Sequence, residues 1–166
     1  MHAELIAARD FAYEPSGLRI DNFVNGTEGK EYGASGFEIH HRRIQFRVGK
    51  ITPVKIGCFV TLWKRVGAGP ILPFDLEDPV DLFVVSVRNA SRFGQFVFPK
   101  SVLCEQGIVS TKARIGKLAM RIYPPWDTPE NRQANHTQAW QLLYFFEIPL
   151  HASVDIARVQ TLFYCK

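Results

Sequence analysis

From Phe37 onward, apolar and polar residues alternate with a period of two. Phe37, Ile39 and His41 alternate with Glu38, His40 and Arg42; Ile44, Phe46 and Val48 alternate with Arg43, Gln45 and Arg47. Successive side chains on a strand point to opposite faces, so this pattern predicts two half-buried strands, or one hairpin, with cations on the wet face. Ile51-Thr52-Pro53 marks a turn, and Cys58 to Trp63 predicts another strand that ends at Lys64-Arg65. Leu82 to Val87 is an unbroken β-branched and aromatic run, which suits a strand covered on both faces. Asn89 to Gly94 supplies a turn, and Gln95 to Pro99 returns as the partner strand. Leu118 to Tyr123 predicts a further strand, stopped by Pro124-Pro125.

Helical signals lie towards the two ends. Leu5, Ile6 and Ala8 predict a short opening helix that ends at Asp10. Thr128 as a cap, Pro129 in the first helical position and Glu130 at the positive end predict a second helix. Its apolar face runs through Trp140, Leu143 and Tyr144, and Pro149 lies beyond its end. Val154 to Tyr164 predicts a last helix. Gly17 to Gly36 holds five glycines and reads as loop, as does the Pro/Gly-rich stretch from Gly67 to Pro79. No repeat, low-complexity tract or linker divides the 166 residues. The expectation is a single α/β (α+β) domain over residues 1–166, a mixed sheet flanked by helices.

Composition narrows the function classes. Apolar residues make up 46% of the chain, with 13 Phe, which excludes a disordered tail or a collagenous chain. No apolar run approaches the ~20 residues of a membrane span. Met1-His2-Ala3-Glu4 places an acid where a secretory signal needs a cation. Three dispersed cysteines, Cys58, Cys104 and Cys165, predict reduced thiols and a cytoplasmic, soluble protein with no membrane partner.

Net charge is +4, and its distribution is uneven. Residues Met1 to Ala34 carry three basic and six acidic side chains. Ser35 to Arg65 reverses the balance, with Arg42, Arg43, Arg47, Lys50, Lys55, Lys64 and Arg65 against Glu38 alone. Val66 to Val87 holds four acids and no base, and Arg88 to Arg121 is basic again, including Lys100, Lys112 and Arg114. Two basic blocks that converge on one face would neutralise a row of phosphates. The first block, with Lys112 and Arg114, therefore forms the expected nucleic-acid contact set. Trp63 and Trp126 lie where a ring could stack on an exposed base; a core position suits Trp63 better, and Trp126 is the better exposed candidate.

Candidate chemistry is sparse. Asp81 precedes the buried strand, and Phe98-Pro99-Lys100 ends its partner. Nucleases that hold a divalent metal place one acid at the first position and an acid-x-lysine triplet at the second, so that two carboxylates bind the ion and the lysine orients water. Phe98 cannot ligate magnesium, and Asp81 alone would hold it weakly. A displaced carboxylate, Glu38 or Glu105, is the alternative. Equally, Asp81 caps a strand end and Lys100 begins a helix with Ser101. His40 and His41 are adjacent and on a strand would face opposite ways, while His136 and His151 have no cysteine at ligand spacing, so no metal site is expected. Cys58 sits among Ile56, Phe59 and Val60 and reads as a buried thiol. No phosphate-binding glycine loop is present.

Longer motifs carry a resemblance. Lys50-Ile51-Thr52-Pro53-Val54-Lys55-Ile56-Gly57, Phe59-Val60-Thr61-Leu62-Trp63-Lys64-Arg65 and Gly94 to Leu103 resemble the MepB-like family of bacterial proteins. So do Arg121-Ile122-Tyr123-Pro124-Pro125-Trp126-Asp127 and the pairs Gln133-Ala134, Thr137-Gln138 and Trp140-Gln141, over roughly Glu31 to Leu150. The resemblance implies a fold similar to type II restriction endonucleases and a role in nucleic-acid binding. Asp81 and Lys100 stand where the nuclease pattern has its acid and lysine; Phe98 stands where it has the second acid. The expected function is thus nucleic-acid binding through the basic face, with duplex DNA as partner, in a protein that carries a degenerate nuclease-like site and needs no cofactor. A dimer would suit a protein straddling a duplex. Alternatives are a metal-dependent nuclease using Asp81 and Lys100 with magnesium or manganese, and a small-molecule- or protein-binding domain using the loop Gly67 to Asp78.

Overall fold

Every residue of the run Leu82 to Val87 is buried, because the strand it forms lies at the centre of a sheet covered on both sides. A computed structural model describes residues 1–164, so the Cys165 thiol lies outside the described residues. In chain order the elements are α1 (Ala3–Ala8), β1 (Asp21–Asn25), β2 (Ser35–Ile39), β3 (Arg42–Val48), β4 (Lys50–Ile51) and β5 (Cys58–Thr61). They continue with β6 (Trp63–Arg65), β7 (Ile71–Pro73), β8 (Leu82–Arg88), β9 (Phe93–Pro99) and α2 (Lys100–Glu105). The last are β10 (Ala119–Ile122), α3 (Arg132–Gln141), β11 (Phe145–Glu147) and α4 (Ile156–Tyr164).

The main sheet has six strands in the order β1-β2-β3-β8-β9-β11. Only the β3–β8 pairing is parallel; the other neighbours are antiparallel, so the sheet is mixed and helices flank it. One face packs on α1, the helical turns that follow it and α4, through Leu5, Tyr13, Phe46, Val84, Val97 and Phe163. The other face, through Phe83, Val85, Phe96 and Phe98, packs on a three-stranded sheet of order β10-β5-β4 and on α2 and α3. Period-two alternation in β8 and β9 thus feeds two separate cores. No helix among the described residues is long and apolar enough to cross a membrane.

Several sequence expectations shift. Gly17 to Gly36 is not all loop, since β1 pairs with β2 there across a β-bulge. The strand expected over Cys58 to Trp63 divides at Leu62 into β5 and β6, and β7 forms within the Pro/Gly-rich stretch to pair with β6. The Thr128 cap is replaced by Asn131, whose Oδ1 accepts from the Ala134 amide at 2.8 Å. The reason is Gln138, whose amide donates to the carbonyls of Pro124 and Asp127 and holds that segment alongside the helix. Residues expected to extend the helix instead form β11 at the sheet edge. His40 and His41 are not strand residues: both have positive φ (49° and 63°) and make the two-residue turn between β2 and β3. Turns with two left-handed central residues match the strand twist but favour glycine or asparagine.

Candidate functional site

The nuclease-like residues serve the fold. Asp81 Oδ2 accepts from the Arg43 amide at 2.8 Å and lies 3.5 Å from its guanidinium, so the carboxylate ties the start of β8 to β3. Lys100 opens α2 and donates its Nζ to the Asp78 carbonyl at 3.0 Å. Phe98 is fully buried, stacked on Phe96 and tilted against Trp140 and Tyr144. A carboxylate at that position would lie among three aromatic rings without water, a cost of several kcal/mol for the charged form. The Glu38 carboxylate accepts from Asn22 near the β1 edge, and Glu105 lies at the far end of α2 from Lys100. Among the described residues, no three His, Cys, Asp or Glu side chains are grouped to hold a metal ion.

The basic block of the first half is largely neutralised within the chain. Lys50 pairs with Glu31 and lies over the Tyr32 ring, Lys64 pairs with Asp78 at 2.6 Å, and Arg65 pairs with Glu28. Arg42 donates to the Phe163 carbonyl near the end of α4. Arg47 corrects the expectation of cations on the wet face. It is 7% exposed, and it donates to the Phe46 carbonyl and Gln45, more weakly to the Trp63 carbonyl, with Phe74 beneath it. Burial lowers its pKa to about 10.

A different part of the chain forms an open groove of about 590 Å³. Its base is β10 and β5: alternation turns Met120 and Ile122 into the core and leaves Ala119, Arg121 and Tyr123 to line the groove, beside Phe59 on β5. Its wall is α3, whose three-to-four-residue spacing presents Gln133, His136, Thr137 and Trp140 to the same space. Lys55 and Lys117 complete the rim, with Gln106 at the end of α2. An adjoining recess shares Lys55, Arg121 and Tyr123 and adds Glu130.

Local contacts hold this geometry. Gly57 takes a left-handed φ of 91°, and a Cβ there would lie 2.9 Å from the Tyr123 ring, so the loop before β5 closes tightly over Tyr123. Arg121 Nη1 lies within hydrogen-bond reach of Thr52 Oγ1 and the carbonyls of Ile56 and Gly57, fixing the loop that carries Lys55. These acceptors are neutral, and Arg121 forms no ion pair among the described residues. The side-chain ammonium groups of Lys55 and Lys117 make no hydrogen bond or ion pair among the described residues, nor does that of exposed Lys112 on the loop leading to Lys117. The Arg114 guanidinium on that loop packs over Gly107, where a Cβ would come within 2.6 Å of it.

The MepB-like family matches residues 26–147, well over half of the chain. The chain belongs to the MepB-like family. A solved structure, the crystal structure of MepB, superposes with a TM-score of 0.76 at 31% sequence identity, over 89% of this chain and 97% of that one. Among curated proteins, none matches. The MepB-like span contains every residue that lines the groove.

Of the residues singled out from sequence, Lys55 lines the groove, and Lys112 and Arg114 sit on the loop beside it. Asp81 and the β3 cations stand elsewhere. Lys117, Arg121, Tyr123, Gln133, His136 and Trp140 were not expected as site residues. The signal for several of them was present, in the family motifs around Arg121-Ile122-Tyr123, Gln133-Ala134 and Trp140-Gln141. Trp126, the better exposed candidate, is half-buried against Phe145 with Arg92 over its ring, and Trp63 is also half-buried.

Proposed function

We propose that this MepB-like chain binds nucleic acid, duplex DNA included, with phosphates drawn to the rim of the groove between α3 and β10. One observation carries this reading: the cations bordering the groove keep their charge for an outside partner. Lys55 and Lys117 have no acid partner in the described chain, and Arg121 is held by neutral oxygens alone. The cations of β3 and β6 are matched internally instead, and Arg47 is buried. Phosphate contacts of this kind position a strand and carry little sequence information. The reading places the protein in the cytoplasm, where nucleic acid is available to it.

The experiment is a fluorescence-anisotropy titration of labelled duplex DNA at about 50 and 200 mM salt. Each neutralised phosphate adds roughly −0.9 to the slope of log K against log salt. Lys55→Ala with Lys117→Ala is expected to weaken binding and flatten that slope by about 2. Arg43→Ala with Arg65→Ala is expected to leave the slope unchanged. Absence of salt-dependent binding at 50 mM would remove duplex DNA as a partner.

A further inference from the structure

We propose, resting on the nucleic-acid reading above, that the groove admits an unpaired nucleotide, with its base inside and its phosphate on the cationic rim. The interior is built for a flat ring: Tyr123, Phe59 and Trp140 bring aromatic surface to it, and one side of Trp140 is already supported by Phe98 at 5.6 Å. The side-chain amides of Gln106 and Gln133 have no hydrogen-bond partner among the described residues, and each offers a donor and an acceptor like those on a base edge. At about 590 Å³ the space has the dimensions of a small-ligand pocket and no room for a stacked double helix. A duplex meets only the rim, because its bases are shared in the stack. A base enters once it is splayed out, and stacking on aromatic side chains then repays the unstacking. Cations outside with rings and free amides inside are thus two halves of one recognition device.

The test compares three labelled DNAs of equal length: a blunt duplex, a duplex with one bulged nucleotide, and a single strand. The single strand and the bulged duplex are expected to bind on the order of tenfold tighter than the blunt duplex. Tyr123→Leu and Trp140→Leu, which keep apolar bulk, are expected to erase that preference while leaving blunt-duplex affinity in place. Gln133 is exposed, so Gln133→Ala tests the same point without risk to the core and should weaken only the two unpaired forms. In a Trp63→Phe, Trp126→Phe background, the fluorescence of Trp140 should fall on addition of single strand. Equal affinity for all three DNAs, with no effect of the Gln133 and Tyr123 changes, would overturn the inference and leave phosphate binding standing. No salt-dependent binding to any of the three would overturn the reading beneath it as well.

Discussion

Gln141 completes the outer edge of β10 with a single side chain. Its Oε1 accepts from the Tyr123 amide at 2.9 Å, and its Nε2 donates to the Arg121 carbonyl at 3.0 Å. β10 is the edge strand of its sheet, so these two backbone groups have no neighbouring strand to pair with. The side chain is 1% exposed and acts as a surrogate strand that fastens α3 to the groove base.

Gln141→Ala should therefore leave a buried N–H and a buried C=O unpaired and destabilise the fold by roughly 2 kcal/mol or more. Gln141→Glu keeps an acceptor for Tyr123 but loses the donor to Arg121 and buries a charge. Urea unfolding of both variants checks this. Midpoints equal to that of the parent would show that the edge is closed by something other than Gln141.

Arg47 offers a separation of stability from binding. It is buried without a carboxylate partner, and its bonds go to uncharged oxygens. Replacing a buried ion by an apolar side chain of similar length is often close to neutral, because desolvation of the charge offsets what its contacts return. Arg47→Met is expected to change stability by about 1 kcal/mol or less and to leave the salt slope of nucleic-acid binding unaltered. A reduced slope would return Arg47 to the contact set.

The architecture was legible where a local pattern coincided with burial. β8 and β9 follow from the run Leu82 to Val87 and the turn at Asn89, and the mixed sheet with its flanking helices matches expectation. β1 was hidden because Asp21, Asn22 and Asn25 are poor strand formers and its exposed edge bears little apolar alternation. The internal pairing of the basic blocks was hidden for a different reason. Arg65 meets Glu28, Arg88 meets Glu4 and Arg92 meets Glu147, partners 37, 84 and 55 positions away. Charge blocks along a sequence cannot reveal such neutralisation. The groove was half legible, because alternation in β10 exposes Arg121 and Tyr123, yet nothing local says that α3 will lie opposite.

The turn at His40-His41 stores strain that glycine would relieve. Both residues are left-handed, a region that costs an L-residue about 1–2 kcal/mol. Both are exposed; His40 is held there by Tyr164, whose hydroxyl lies 2.8 Å from Nε2, whereas the His41 side chain makes no hydrogen bond among the described residues. His41→Gly removes the Cβ penalty but raises the entropy of the unfolded chain by part of that amount. A net gain of roughly 0.5 kcal/mol is expected, seen as a raised melting temperature. His41→Val, β-branched and intolerant of this region, should lower it. The opposite order would mean that the imidazole at position 41 makes a stabilising contact.

Alkaline pH should weaken the fold through Cys58. The thiol is 2% exposed, and its pKa rises to about 11, first because burial disfavours the thiolate and then through Asp127, with Arg121 opposing. An unfolded cysteine ionises near 8.5–9. The folded chain therefore holds a proton that the unfolded chain has released, and stability falls with pH across that interval. The contribution is fully present below about pH 8.5 and is lost as pH rises through about 11. Two pKa units correspond to roughly 2–3 kcal/mol. Tyr13, fully buried and donating to Gln95 at 2.6 Å, also has its pKa raised by burial and adds a loss of the same sign above its ordinary range near 10. Urea midpoints at pH 8 and pH 10 should therefore differ, and Cys58→Ala should reduce the difference while costing some packing. The same burial predicts that the folded Cys58 thiol resists alkylation at pH 8 until denaturant is added. Rapid modification of Cys58 in the folded chain, or a midpoint independent of pH up to 10, would contradict the assignment of the alkaline loss to this thiol.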